Sequence, residues 1–373
     1  MQATQPFLVY RDRIGAPPEI GFLRRQYIGF TRLHPVWIGR TLLPDAGQIS
    51  PDLLRLGGNL PFGPLNRLLY RHLGRIPPIG IAGLAPVLHA QFARGGALAL
   101  PLARTLGLRL VVTLHGGDVS KQKNWQRTVL AQRWPALVDQ AAGFVCVSAA
   151  VAEIAAARGV PAAKLTVLPI GVEIPGQPPL RRPACHLFVG RFVEKKGLIV
   201  LADAIRRLRQ QGDQTPLMCV GDGPLRPMLE TLARQVPAVS LAGWLPPDAV
   251  RARMANAIAL LVPSVIASDG DAEGLPSVIP EAMAQGCPVI GSDQGGIAEA
   301  IRHRETGLLV PPGDAASLAE AMHQIAALPE LGTALGAAGF AYATTDLNAH
   351  TQSAKLENLL LPVGFRSASP GDR

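Results

Sequence analysis

Phe188-Val-Gly-Arg191-Phe-Val-Glu-Lys-Lys196-Gly197-Leu is the stretch that decides the fold. An apolar run over 185–189 ends in a glycine turn, and helix-like spacing resumes over 198–211. Strand, turn and helix in that order form the repeating step of doubly wound α/β domains. Gly190 permits the tight turn, and Arg191 and Lys196 bring two positive charges to the carboxyl edge of the strand. Ligands of open α/β sheets bind at that edge. Two cations there suit a departing diphosphate, on which negative charge grows as a glycosidic bond breaks. The alternative is a solvated loop with ordinary charges.

The same step recurs outward in both directions. Strand-like runs precede it at 7–10, 35–39, 86–89, 108–114, 143–147 and 165–169, and follow it at 216–220, 239–242, 257–262 and 287–291. Helix-like spacing fills 225–235, 247–254 and 315–327. A proline-rich segment at 173–183 reads as an extended linker. The expectation is an α/β protein of two Rossmann-like doubly wound domains, over 1–172 and 173–345. At 373 residues the chain is too long for one typical core.

Composition narrows the class. Nearly half the residues (48%) are hydrophobic and 17% are charged, which describes a globular chain. No apolar run is long enough to span a bilayer and no signal peptide is evident, so a cytoplasmic protein is expected. Cys146, Cys185, Cys219 and Cys287 lack metal-ligand spacing and read as buried reduced thiols. The net charge of +9 is uneven: residues 1–180 hold 19 Lys/Arg against 8 Asp/Glu, and residues 181–373 hold 17 against 19. The first half therefore suits an anionic partner, a membrane surface or a phosphorylated acceptor, with simple solubility as the alternative. Within it, Arg67, Arg71 and Arg75 recur at helical spacing between leucines, as on a helix lying on the inner face of an anionic membrane or on an ordinary amphipathic surface helix.

The chemistry concentrates in Asp271-Ala-Glu-Gly-Leu-Pro-Ser-Val-Ile-Pro-Glu281. Glu273 precedes a Gly274-Leu275-Pro276 turn, and Glu281 falls on the helix that the turn should open. N–H groups at a helix start attract phosphate, whereas a carboxylate further along can accept both hydroxyls of a ribose. These features describe a nucleotide-sugar site. Pro280 would clash inside a helix begun at Pro276, so the helix starts a residue or two later or is kinked. Gly221 and Gly223 form another strand-to-helix turn, as apt for a tight bend as for ligand contact. The segment 241–244 could offer backbone groups to a nucleobase, with Trp244 as packing in the bland reading. Glu299, at the start of a short helix, reads as a cap. His115, in Leu114-His-Gly-Gly-Asp118, ends a strand and faces a cleft, where it could bond a sugar hydroxyl or polarise the reacting centre.

From Phe188 to Asp314 the chain resembles the retaining glycosyltransferases of family 4, with the GT-B fold of two Rossmann-like domains facing a central cleft. The resemblance rests on Gly190-Arg-x(4)-Lys-Gly197, Gly221-Asp-Gly-Pro224, Glu273-Gly-Leu-Pro-x(4)-Glu-Ala-Met-Ala-x-Gly-x-Pro-Val289, Gly295-Gly-Ile-x-Glu299 and Thr306-Gly-Leu-Leu-Val-Pro-Pro-Gly-Asp314. His89-Ala-Gln-Phe92, Thr113-Leu-His-Gly-Gly-Asp118 and Val147-Ser148 are similar to the subgroup that builds exopolysaccharides such as colanic acid. It implies that Arg191 and Lys196 hold the donor diphosphate and Glu281 the ribose. Glu273, with backbone groups at Gly274 and Leu275, would orient the donor sugar, and His115 would lie near the sugar transferred. It further implies retention of anomeric configuration, no bound metal or cofactor, a nucleotide-sugar co-substrate such as a UDP-, GDP- or ADP-sugar, and a saccharide or lipid-linked acceptor. A final helix, within 346–373, is expected to cross back to the first domain. Two other classes stand beside it: a nucleotide-sugar epimerase of the same architecture, and a non-catalytic scaffold binding membrane or nucleic acid. The intact charged set argues against the scaffold, so no nucleic-acid partner is expected.

Overall fold

The computed structural model describes residues 4–56, 82–177 and 184–361. The chain divides into two compact units: Met1–Val147, Val151–Gly171 and Ala349–Arg373 in the first, Ser148–Ala150 and Val172–Asn348 in the second. The Arg67 to Arg75 segment lies outside the described residues.

The first unit is built on a parallel sheet of β1 (Gln5–Tyr10), β3 (Leu33–Gly39), β5 (Leu53–Arg55), β6 (Val87–Gln91), β7 (Arg109–Leu114), β8 (Gly143–Cys146) and β9 (Leu165–Val167). Their order is β5-β3-β1-β6-β7-β8-β9, and a short separate pair joins β2 (Arg13–Ile14) to β4 (Thr41–Leu42). Strands of parallel sheets are covered on both faces and so read as unbroken apolar runs. Phe7, Leu8, Val9 and Tyr10 of β1 are all wholly buried. The core of this unit, around Phe7, Trp37, Val87 and Val111, is completed by Leu356 and Leu360 from the helix Ala349–Leu360.

That helix is anchored by a buried carboxylate. Glu357, 1% exposed, accepts the backbone N–H groups of Thr31, Arg32 and Leu33 at 3.0, 2.7 and 2.8 Å and meets the Arg32 guanidinium at 3.4 Å. These amides precede or open β3, where no neighbouring strand satisfies them all, and the charge makes each bond stronger than a neutral one.

The second unit contains β10 (Cys185–Val189), β11 (Leu217–Val220), β12 (Val239–Gly243), β13 (Ala257–Val262), β14 (Val289–Ser292) and β15 (Leu308–Val310). All are parallel, in the order β12-β11-β10-β13-β14-β15, the 3-2-1-4-5-6 winding of a dinucleotide-binding sheet. The helix Leu198–Gln210 shows why the flanking helices form. Leu198, Leu201, Ala202, Ile205 and Leu208 are buried at helical spacing, while Asp203, Arg206 and Arg207 face outward. The helix Pro329–Asp346 buries a stripe at the same spacing, Gly332, Leu335, Gly336, Gly339 and Ala343, but most of it is glycine. Its Gly332, Gly336 and Gly339 lower its propensity, but a side chain at Gly339 would stand 3.3 Å from Met283, so close packing accounts for that glycine.

Candidate functional site

In each unit the strand order reverses beside its first strand, and open sheets bind ligands at the carboxyl ends there. In the second unit that point lies between β10 and β13. Gly190, Arg191, Lys195 and Lys196 follow β10, and Asp271 to Leu275 follow β13.

Lys196 Nζ is 2.9 Å from Glu273 Oε1; Lys195 Nζ lies 3.7 Å from the same oxygen and 3.2 Å from Asp271 Oδ1. All four side chains are between 8% and 15% exposed. Burial draws the Glu273 carboxyl upward, but the charges of Lys196, Lys195 and Arg191 outweigh it and hold the group below its ordinary range. Arg191 is exposed, and its side chain makes no hydrogen bond or ion pair among the described residues. The loops are locked in place: Val265 N–H bonds to Lys195 carbonyl at 2.9 Å, and Glu194 accepts from Ser268 N–H and Oγ–H at 2.9 and 2.8 Å.

The sequence reading overlooked Lys195 and Asp271. Lys195 adjoins the lysine that fits the motif, and the single turn Glu194–Lys196 rotates it inward to 9% exposure. Asp271, two residues ahead of Glu273 in the acidic stretch, was the available signal. Gly190 lies along the Lys196 stem, with a Cβ there falling 3.5 Å from Lys196 Cε. Gly221 has a structural reason: its φ is +134°, and a Cβ would stand 1.9 Å from the Gly190 carbonyl oxygen. A Cβ on Gly223 would meet Phe192 carbonyl at 2.7 Å, so both glycines let this turn press against the one after β10.

The helix after the acidic turn runs Val278–Ala284, with Ser277 before it. Pro280 therefore stands third, where an N–H would have no intrahelical acceptor, and the helix is not broken. Glu281 follows in the first turn, its N–H bonded to Ser277 carbonyl at 3.2 Å, and its side chain is half-buried. Gly274 is buried; Leu275 packs on the core beside β13. Glu299 departs from its reading. It sits fifth in the helix Gly295–Ala300 and instead accepts the N–H groups of Ala149 and Ala150 at 2.6 and 2.7 Å. Trp244 is 70% exposed and is not core packing.

In the first unit the reversal lies between β1 and β6. His115 follows β7, half-buried, with its ring 4.2 Å from the Phe92 ring and 5.4 Å from that of Phe22. Phe92 adopts φ +68°, a costly conformation for a non-glycine residue, and the Arg11 guanidinium lies 4.2 Å over its ring. Arg11 is paired with Glu19 at 2.6 Å. Burial first, then the charges of Arg11 and His89, lower the His115 imidazole to about 3. It is neutral at ordinary pH. Asp118 accepts from His115 N–H at 2.9 Å and Ala93 N–H at 2.8 Å, and burial raises its carboxyl against the pull of those bonds.

Two family models cover most of the chain: "Glycosyl transferases group 1" matches residues 184–327 and "Glycosyl transferase 4-like domain" matches residues 31–171. The amylovoran biosynthesis glycosyltransferase AmsK of Erwinia amylovora is 32% identical over 80% of this chain and 79% of its own. The chain belongs to the group 1 glycosyltransferases. The putative colanic acid biosynthesis glycosyltransferase WcaL of Escherichia coli is 34% identical over 67% of this glycosyltransferase and 63% of WcaL. Among solved structures, Anabaena Alr3699/HepE in complex with UDP-glucose superimposes with a TM-score of 0.75 at 17% identity, covering 95% of this chain and 99% of that one. The fold is GT-B, as the sequence motifs led one to expect. No described helix is long and apolar enough to cross a membrane.

Proposed function

We propose that this glycosyltransferase moves a sugar, with retention, from a nucleotide-sugar donor to a polysaccharide precursor or lipid-linked saccharide during cell-surface polysaccharide assembly. The names of AmsK and WcaL support the pathway class, and the UDP-glucose complex of HepE supports the donor class. The observation that carries the site assignment is the cation cluster at the β10/β13 reversal. Three basic groups face two acids there, and Arg191 stands exposed for an incoming anion.

In this reading Arg191 and Lys196 take the donor diphosphate, Glu281 the ribose hydroxyls, and Glu273, steadied by both lysines, the donor sugar beside Gly274 and Leu275. His115 meets the transferred sugar. The bond from the anomeric carbon to the diphosphate breaks as the acceptor oxygen attacks on the same face. The acceptor's proton passes to a diphosphate oxygen, so no side-chain nucleophile and no metal is called for. Charge that grows on the leaving diphosphate is met by cations already in place. The relatives named above are transferases, and nothing among them favours an epimerase.

Thermal-shift titration with UDP-, GDP- and ADP-sugars tests the donor assignment, and release of the matching nucleoside diphosphate tests transfer. Glu281→Ala should weaken donor binding and Arg191→Ala should slow release. Wild-type behaviour from both variants overturns the assignment.

A further inference from the structure

One side chain orders the polar interior of the first unit. Gln91, at the end of β6 and wholly buried, donates through Nε2 to Gln26 Oε1 at 2.7 Å and to Tyr27 Oη at 2.6 Å. Its Oε1 lies 2.9 Å from His115 Nε2. Tyr27 Oη is 2.7 Å from His89 Nδ1, and His89 Nε2 is 2.7 Å from Thr113 Oγ1.

With the Gln26 and Gln91 amides oriented as they are here, the donors and acceptors of this network run in one direction. Gln91 Nε2 donates to Gln26 and Tyr27 and its Oε1 faces His115; an amide oxygen only accepts, so in this orientation His115 Nε2 carries the hydrogen. Tyr27 Oη, receiving from Gln91, passes its own hydrogen to His89 Nδ1, and His89 donates onward to Thr113. His115 Nδ1 is left with a lone pair and has no partner among the described residues.

We infer that Gln91 is a positioning residue: it locks His115 as the neutral, Nε2-protonated tautomer and presents Nδ1 as an acceptor for a substrate hydroxyl. The inference rests on the proposed role of His115 and adds the direction of its bond. A hydroxyl donates to this ring; a carbonyl or phosphate oxygen could not bond to Nδ1. Other charged and titratable groups around the ring are Arg11 with its partner Glu19, Asp118 on the His115 N–H, and His89 across the network. The low imidazole value, about 3, agrees with a ring held neutral.

The test uses the full chain labelled with 15N. Imidazole 15N–1H correlation should show His115 Nε2-protonated between about pH 5 and 8, the window in which histidines usually titrate. An Nδ1-protonated or mixed ring overturns the inference without any variant being made. Kinetics follow with UDP-glucose and GDP-mannose as probes, reading nucleotide release. Gln91→Leu should lower the rate about ten- to a hundredfold, by analogy with the loss of a partner that orients a metal-ligating imidazole. Gln91→Glu sets a carboxylate against Nε2, raises the imidazole pKa and should add an acid limb, with rate falling as pH falls, where the wild type is flat. A pH-independent loss in both variants would mean a merely structural role and refute the positioning. His115→Ala separates the two readings: full activity in it removes the proposed role of His115, while the tautomer measurement still judges Gln91.

Discussion

Replacing Glu357 by alanine removes one acceptor from three backbone donors and one guanidinium at once. A hydrogen bond to a charged group contributes about 1.5–3 kcal/mol, and a buried donor left unmade costs about 1–3 kcal/mol. Water can reach the partly buried Thr31 and Arg32 amides, so the terms do not simply add. Only the Leu33 bond is fully enclosed. The expected loss for Glu357→Ala is therefore about 3–5 kcal/mol, the range for breaking a buried charged pair. Glu357→Gln keeps a carbonyl oxygen for the three amides but gives up the charge and the Oε2 acceptor that faces the Arg32 guanidinium; halving the bond strengths leaves a loss of about 1–2 kcal/mol. For a unit of this size the alanine variant should melt about 6–20 °C lower. Tryptophan fluorescence suits the assay, since Trp37, Trp125 and Trp134 all belong to the first unit and only Trp244 to the second. Amide exchange at Thr31 to Leu33 should quicken in the same variant. An alanine variant within about 1 kcal/mol of wild type, or equal losses for alanine and glutamine, would refute the reasoning.

Gly221→Ala should destabilise the second unit by about 2 kcal/mol or more, because its Cβ would overlap the Gly190 carbonyl oxygen; an unchanged denaturation midpoint contradicts this. Asp213 is held at about 2: burial pulls it upward, but the hydrogen bonds from Thr215 and His323 and the charge of His323 prevail. A carboxyl depressed in the folded state stabilises above its unfolded pKa, about 3.9, and that stability is lost as pH falls through about 2. Asp213→Asn should thus be less stable than wild type at neutral pH, with the gap closing on acidification; a gap constant with pH sinks the prediction. Lys195→Met leaves Asp271 and Glu273 short of a partner and should lower stability as well as turnover, whereas Arg191→Ala, at an exposed and unpaired side chain, should lower turnover alone. Circular dichroism melts set against nucleotide-release rates separate the two.

The strands were legible because parallel sheets bury both faces, so Phe7 to Tyr10 or Ala257 to Val262 stand out as apolar runs without any alternation. What escaped were elements too short or too poor in pattern to register. β15 has three residues, and the buried face of the helix Pro329–Asp346 carries three glycines, which give little apolar signal. At the site, motif spacing marked Arg191, Lys196, Glu273 and Glu281 but not Lys195, because it is a single turn of backbone that brings both adjacent lysines onto Glu273. The Gln91 network was hidden for another reason. His89 and Gln91 lie within a strand, where a one-dimensional reading sees an interruption of the core rather than partners for Tyr27, more than sixty positions earlier.

The discontinuous make-up of the first unit has a consequence for synthesis. A nascent chain delivers β1 through β9 first, yet the acceptor for the Thr31 to Leu33 amides emerges more than three hundred residues later. The second unit, whose strands emerge in one continuous stretch, can close on the ribosome before the first is sealed. Until the segment bearing Glu357 arrives, part of the older unit's core remains open to chaperones and proteases.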